Sequence, residues 1–201
     1  MDQLVLEGGF EESVFGAQTV FRALMDAFAN PGRAQALQAP LAGPPELSAG
    51  LAALILTLCD HDTPLWLDPA LRASEALATW IRFHTGAPLI ADPSRAHFAF
   101  ATAAERLPPL AHFAAGTDDY PDRSTTIALA VPALDGGPVL TLRGPGIDGV
   151  ASIAPVGLPD DFITQWVDNG ALFPRGIDLL LVAGDRVMGL PRSTRISAET
   201  A

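Results

Sequence analysis

The stretch Ile177-Asp-Leu-Leu-Leu-Val-Ala-Gly-Asp-Arg-Val-Met-Gly-Leu190 decides the fold. Two apolar runs, 177–183 and 186–190, flank the dipeptide Gly184-Asp185, and glycine readily adopts the backbone angles of a tight turn. The pattern predicts two antiparallel strands joined by a hairpin. A sheet therefore lies in this part of the chain, and the elements before it must pack around that sheet.

Upstream of the hairpin, helical and strand patterns alternate. Apolar residues from Phe21 to Phe28 recur at helical spacing, and Asn30-Pro31-Gly32 supplies a stop. The sequence next predicts an apolar core helix over 47–58, a strand over 63–67, a helix over 74–84 and strands over 89–91 and 97–101. The capping box Thr102-Ala-Ala-Glu105 then predicts the start of another helix. Strands over 125–131 and 139–142 are expected to form a hairpin across Asp135-Gly136-Gly137, followed by a strand over 150–153 and a helix from Pro159-Asp160-Asp161 to Asn169-Gly170.

This order of elements predicts one α/β domain with a mixed sheet, because alternation comes first and hairpins follow. No internal repeat and no long linker divides the 201 residues. We expect a core over about 15–196 and loose ends, including a tail after Ile196.

Composition limits the classes of partner. The formal net charge is −11 at pH 7, with no run of basic residues, so the chain should repel nucleic acid and anionic membranes. The longest apolar stretch, around 51–58, is too short to span a bilayer, and Met1-Asp2-Gln3 lacks the positive start of a secretory leader. We expect a cytoplasmic protein.

Lysine is absent from the sequence, and cysteine occurs once. A Schiff base with pyridoxal phosphate and the lysine-dependent phosphate loop both need a lysine side chain, so both are excluded and no cofactor is expected. The lone Cys59 cannot form an internal disulfide, and its apolar neighbours indicate a buried thiol.

Five of the twelve arginines lie in turns rich in proline and glycine, at Arg33, Arg123, Arg143, Arg175 and Arg192. Such turns hold a side chain in one direction, and a guanidinium binds a carboxylate or phosphate through two hydrogen bonds. Each arginine taken singly is also compatible with an ordinary surface ion pair.

The segment Asp118-Asp-Tyr-Pro-Asp-Arg-Ser-Thr-Thr126 is the best candidate site. Arg123, Ser124 and Thr125 could hold a phosphate or phosphonate. The neighbouring aspartates, Asp122 among them, could instead pair with Arg123 or face an arginine-rich partner, and this second reading is favoured. Arg143, in Arg143-Gly-Pro-Gly146, and Arg175 are further candidates for binding a ligand or a partner.

No catalytic or metal-binding group is predicted. Asp60-His61-Asp62 could hold a divalent ion, but the same residues suit a helix stop and a strand cap, which is the favoured reading. The sequence contains no Gly-x-Ser-x-Gly nucleophile elbow and no other recognisable pairing of nucleophile and base.

Seven strings in a fixed order resemble the PhnH family, the H subunits of the bacterial carbon-phosphorus lyase machinery. The resemblance runs from about Phe15 to Ile196 and has no general catalytic signature. The strings are Phe21-Arg-Ala-Leu-Met-Asp-Ala-Phe-Ala-Asn-Pro-Gly-Arg33, Leu58-Cys-Asp-His-Asp-Thr-Pro-Leu-Trp-Leu-Asp68, Trp80-Ile-Arg-Phe-His-Thr-Gly-Ala-Pro88, Tyr120-Pro-Asp-Arg-Ser-Thr-Thr126, Leu142-Arg-Gly-Pro-Gly-Ile147, Asn169-Gly-Ala-Leu-Phe-Pro-Arg-Gly-Ile-Asp-Leu-Leu-Leu181 and Leu190-Pro-Arg-Ser-Thr-Arg195.

The resemblance implies a three-layer fold, a mixed sheet flanked by helices like the large domain of pyridoxal-phosphate-dependent transferases, without the cofactor. It also implies a homodimer and a non-catalytic but required subunit acting with the G, I, J and L subunits. That complex attaches an alkylphosphonate to C1 of the ribose of ATP and releases adenine. The alternative is a small-molecule binder or transferase that grips a nucleotide or phosphonate through the turn arginines.

Overall fold

The fold is described by a computed structural model over residues 8–38 and 41–198. Within these ranges lie the helices α1 (Ser13–Ala29), α2 (Ala49–Leu58), α3 (Pro69–Arg72), α4 (Glu75–Thr85) and α5 (Phe162–Ala171). The strands are β1 (Gly9–Phe10), β2 (Ala34–Ala36), β3 (Leu41–Ala42), β4 (Leu65–Leu67), β5 (Leu89–Ile90), β6 (Phe98–Ala101), β7 (Thr126–Ala130), β8 (Leu140–Arg143), β9 (Ala151–Ile153), β10 (Asp178–Ala183), β11 (Arg186–Leu190) and β12 (Arg195–Ala198).

Seven strands form the central sheet, in the order β2-β11-β10-β7-β6-β4-β5. The predicted hairpin is confirmed, because β10 and β11 pair antiparallel with Ala183 opposite Arg186. β10, β7, β6, β4 and β5 run parallel to one another, whereas β11 is antiparallel to both of its neighbours, β10 and β2. The mixed sheet is thus confirmed, and the described residues form a single α/β domain.

The central sheet is buried on both faces. Along β10, Leu180 and Val182 belong to the core that α1, α2 and α4 cover, whereas Leu179 and Leu181 belong to the opposite core. That second core also contains Trp166 of α5. Successive side chains of a strand point to opposite faces, so a strand with a layer on each side reads as a continuous apolar run.

A second, three-stranded sheet lies on the α5 side, in the order β12-β8-β9, and it corrects one prediction. The expected hairpin between 125–131 and 139–142 is wrong. β7 already has parallel neighbours on both edges, β6 and β10, so β8 has no free edge to join and pairs with β9 and β12 instead. The turn at Asp135-Gly136-Gly137 carries the chain to the outer layer, where the Gly137 N–H donates to the Ala154 carbonyl at 2.7 Å.

The helix predicted at the capping box Thr102-Ala-Ala-Glu105 is also wrong. Only a single 3₁₀ turn, Ala104–Arg106, forms there. The Thr102 hydroxyl donates to the Asp68 carboxylate instead of capping a helix, and Pro108 and Pro109 lack the N–H groups that a longer helix would need.

Several boundaries differ from the sequence-based expectation. α1 begins at Ser13, well before Phe21. α5 ends at Ala171, so Asn169 and Gly170 lie within its last turn and do not end the helix as expected. The C-terminal strand β12 extends to Ala198, beyond the point where a loose tail was expected, and residues 199–201 lie outside the described residues. The strand predicted over 63–67 is confirmed over Leu65–Leu67.

Gly189 sits where α1 crosses the sheet, and it yields a stability prediction. A Cβ there would lie 2.7 Å from the backbone C and O of Ala27, so we expect Gly189→Ala to destabilise the fold by about 1–3 kcal/mol through overpacking. The matched control is Gly170→Ala in α5, where a Cβ meets nothing within 4 Å and the helix should gain about 0.5–1 kcal/mol. Urea unfolding measures both, and equal effects of the two substitutions would contradict the close packing of α1.

Candidate functional site

Arg192 is the centre of the most extensive side-chain hydrogen-bond network in the described residues. It lies two residues after β11 and faces Asp178, the first residue of β10. Its Nε donates to Asp178 Oδ1 at 3.1 Å, its Nη2 donates to Oδ2, and its backbone N–H donates to Oδ1 at 2.8 Å. The Arg192 and Asp178 side chains are only 15% and 19% exposed. This is the two-pronged arginine–carboxylate geometry, held largely out of water.

The remaining donors of Arg192 reach two other segments of the chain. Its Nη1 donates to the Pro121 carbonyl at 2.7 Å and, at 3.5 Å, to the Pro174 carbonyl, and its Nη2 donates to Ser124 Oγ at 2.5 Å. One guanidinium thus ties the turn around Pro121–Arg123 and the segment after α5 to the central sheet. Its charge is neutralised within the chain, so it acts as a structural link.

The candidate segment 118–126 lies around this link, but its charges pair differently from the prediction. Asp118 pairs with Arg175, whose Nε lies 3.0 Å from the carboxylate oxygen. Arg123 instead stacks over the exposed Tyr120 ring, 4.1 Å from its centroid. Asp122 and Arg123 are both exposed on the surface. The two arginines Arg123 and Arg175 therefore belong to one surface region, beside the buried Arg192.

The hydroxyl groups of Ser124 and Thr125 point into the protein. Ser124 Oγ accepts the hydrogen bond from Arg192, and Thr125 Oγ1 donates to the Ala96 carbonyl at 2.6 Å with no exposed surface. These contacts fix the entry of the chain into β7. Both hydroxyls already have partners within the described chain.

Arg143 lies apart from this region, at the end of β8. It stands opposite Arg195 of β12 in the antiparallel register, and both side chains are exposed. The following turn packs closely on the body of the protein: Gly146 has φ +81°, and a Cβ there would lie 2.1 Å from the Ala29 carbonyl oxygen. A close approach of two backbones thus accounts for this glycine.

Sequence reasoning placed Arg192 among the turn arginines but did not select it as a site residue. The sequence did contain a signal for the Asp178–Arg192 pair. Counting the strand register back from the turn at Gly184-Asp185 puts Asp178 opposite Pro191, the residue next to Arg192. An acid and an arginine at the open end of one hairpin are within reach of each other.

Asp68 is a second buried anchor that the sequence analysis missed. It has no exposed surface, caps α3 by accepting from the Leu71 N–H at 2.9 Å, and accepts from both the N–H and the hydroxyl of Thr102 at 2.7 Å. Burial by itself raises the pKa of this carboxyl, but the hydrogen bonds from Thr102, Leu71 and Ala70 outweigh it and lower the pKa below its ordinary value. Asp68 thus joins the ends of the parallel strands β4 and β6, the edge where α/β proteins commonly bind ligands.

Asp60-His61-Asp62 adopts the turn geometry expected for a helix stop. Asp60 Oδ1 accepts from the Asp62 N–H at 2.9 Å, and the Asp60 N–H donates to Thr63 Oγ1 at 2.6 Å. No group of three potential metal ligands occurs among residues 8–38 and 41–198. The nearby Cys59 is buried, and burial together with the Asp60 carboxylate raises the pKa of its thiol far above the usual range.

No helix in the described part of the chain is both long enough and apolar enough to cross a membrane.

The fold and the network define an α/β domain whose best-organised polar groups hold its own segments together. The family model described as "Bacterial phosphonate metabolism protein (PhnH)" matches residues 8–197, and the chain belongs to this family. It is 49% identical over 195 residues, 97% of each chain, to the alpha-D-ribose 1-methylphosphonate 5-triphosphate synthase subunit PhnH of Rhizobium meliloti (strain 1021). It is also 32% identical over 186 residues to HtxG of Stutzerimonas stutzeri, provisionally named a C-P lyase subunit protein, covering 92% of this chain and 87% of that protein.

Proposed function

We propose that this chain is a non-catalytic but required subunit of the carbon-phosphorus lyase core complex. In that role it supports the transfer of an alkylphosphonate onto C1 of the ribose of ATP, with release of adenine, during phosphonate breakdown. The observation that carries the proposal is the 49% identity, over nearly the full length of both chains, to a protein named as a subunit of the synthase.

The chemistry of the candidate site agrees with a supporting role. Arg192 is occupied by Asp178, Arg175 pairs with Asp118, and the Cys59 thiol is buried with a raised pKa. A thiol with a raised pKa is a poor nucleophile at neutral pH, since the thiolate is the reactive form. These groups stabilise the domain and its surface turns, which suits a subunit that presents a fixed surface to partners.

The proposal extends to the fold relationship and to the partners. The central mixed sheet with layers on both faces is compatible with the large domain of pyridoxal-phosphate-dependent transferases, used without the cofactor because the sequence has no lysine. The G, I, J and L subunits are the proposed partners, and the cytoplasm is the proposed location.

We extend the proposal to a homodimer, and α1 is the most suitable surface for it. Four large apolar side chains of this helix are exposed, which is unusual for a surface that faces only water. They are Val14, Phe15, Phe21 and Met25. Closed two-fold symmetry is the commonest arrangement of identical subunits. Sedimentation equilibrium should give twice the 21.0 kDa chain mass at micromolar concentration, and Phe15→Asp should shift the mass toward the monomer.

Substitution of Arg123 tests whether the surface segment 118–126 binds a partner or a ligand. Its guanidinium and the Tyr120 ring form an exposed, stacked pair, and Arg and Tyr are enriched among residues that dominate protein interfaces. We expect Arg123→Ala to reduce recovery of the other subunits about tenfold, since losing one such contact costs roughly 1–2 kcal/mol. Pull-down of the tagged chain from phosphonate-induced cells measures this.

The matched control for Arg123 is Arg82→Ala, an exposed arginine of α4. Recovery should be unchanged by the control, and loss of activity should follow loss of complex. Full assembly of the Arg123→Ala complex together with a raised KM for ATP or phosphonate would favour the ligand-binding alternative, in which the turn arginines Arg123, Arg143 or Arg175 hold the anion.

A further inference from the structure

A cleft of about 550 Å³ runs along the edge strand β12. One wall is the last two turns of α5 and the residues after it. The other is the chain from Arg192 to Ile196 with Pro145 of the turn after β8. Organic ligands of proteins commonly occupy clefts of this volume.

The α5 wall of the cleft is apolar. It consists of Trp166, Val167, Gly170, Ala171 and Phe173. Phe173 is 65% exposed and Val167 is also exposed, and a Cβ at Gly170 would meet nothing within 4 Å. The indole N–H of Trp166 is used within the chain, where it donates to the Thr194 carbonyl at 2.7 Å. This wall therefore offers a ligand apolar and aromatic surface.

The opposite wall carries positive charge. Arg195 lines the cleft and stands directly across from Arg143 in the register of β12 and β8. Their neighbours Leu142 and Ile196 are buried, so both arginines lie on the outer face of the small sheet. Among the described residues, neither forms an ion pair with a carboxylate. Like charges placed directly opposite each other are destabilising, and a bound anion would offset that cost.

A buried hydroxyl completes the polar side. Thr194 is 1% exposed, lines the cleft, and its Oγ1 has no hydrogen-bond partner within the described chain. Buried hydroxyl groups normally have a partner, so this hydroxyl would be satisfied by a polar group of a ligand or by a water in the cleft.

We propose that this cleft binds an organic phosphate with a planar, apolar body, a nucleoside monophosphate being the simplest example. The phosphate lies against Arg195 at the end of the cleft, on the side of its cross-strand neighbour Arg143, and the planar group lies against α5 near Gly170 and Phe173. The site adds ligand binding to the assembly role and does not depend on it, because it is complete within one chain.

Titration calorimetry on the full chain tests the proposal with adenosine monophosphate, adenosine and inorganic phosphate. Adenosine monophosphate should bind at least about tenfold more tightly than either fragment, since each fragment uses only one wall. Arg195→Gln should weaken binding of the monophosphate about tenfold and leave adenosine unchanged. Gly170→Leu, which fills the cleft without removing charge, should weaken both.

The control for these variants is Arg22→Gln, an exposed arginine of α1 on the far side of the sheet, which should bind like the wild type. Circular dichroism establishes that each variant is folded. The proposal is overturned if adenosine monophosphate shows no saturable binding at millimolar concentration. Equal losses of affinity in Arg195→Gln and Arg22→Gln would also overturn it. Tripolyphosphate, a charged probe without a planar group, serves as a further test. If it binds more tightly than adenosine monophosphate, and as tightly to Gly170→Leu as to the wild type, charge alone explains binding and the proposal is overturned.

Discussion

Replacing Arg192 with alanine is expected to destabilise the domain by about 3–5 kcal/mol, the largest effect of any single substitution considered. The change removes a guanidinium that contacts Asp178, Ser124 and Pro121, and it leaves the Asp178 carboxylate half-buried without its partner. Domains of this kind are stable by only about 5–15 kcal/mol. The variant should therefore unfold at a markedly lower urea concentration.

Two further variants separate the charge pair from the wider network. Arg192→Lys keeps the charge but cannot reach three segments at once, so it should recover only part of the lost stability. Arg192→Leu combined with Asp178→Leu removes both charges, and it should be more stable than Arg192→Ala because no unpaired charge remains. If Arg192→Ala unfolds at the same urea concentration as the wild type, Arg192 does not hold these segments together.

Asp68→Asn is expected to cost about 2–4 kcal/mol at pH 7. The amide presents two donors where the carboxylate accepted hydrogen bonds from the N–H and hydroxyl of Thr102. The folded-state pKa of Asp68 is lowered, so its stabilising contribution is present above the unfolded pKa, about 3.9. That contribution is lost as the pH falls through the folded-state pKa.

The difference in free energy of unfolding between wild type and Asp68→Asn should therefore shrink below about pH 4. Asp92→Asn is the control: its carboxylate also accepts hydrogen bonds, from Ser94, but it is exposed on the surface, so the substitution should change stability much less than Asp68→Asn does. Urea unfolding between pH 3 and 7 gives both curves. A difference that stays constant over this range would show that the charge of Asp68 does not contribute.

The elements that could be predicted from sequence are those with local signals. The hairpin at Gly184-Asp185 and the core helix over 47–58 were visible because turn residues and apolar runs lie next to each other in the chain. The wrong elements depended on distant partners. The strand at 126–130 pairs with residues near 98 and 178, and the capping box at Thr102 failed because its hydroxyl bonds to Asp68, 34 residues earlier.

The candidate site was predicted only in part, because its contacts also join residues that are distant in the sequence. The turn arginines were recognisable from proline and glycine, but their partners were not: Arg175 pairs with Asp118, and Arg123 stacks on Tyr120. Arg192 and Asp68 act through long-range contacts. Their importance therefore follows from the register of the β10–β11 hairpin and from the parallel pairing of β4 with β6.

The central claim, that the chain is a required but non-catalytic subunit, is tested most directly by reconstitution. The G, I, J and L subunits are mixed with ATP and methylphosphonate, and adenine release is measured with and without this chain. Adenine should be released when the chain is present, fall to background when it is omitted, and stay at background with the chain alone. Release at an equal rate without the chain, or release by the chain on its own, would contradict the account.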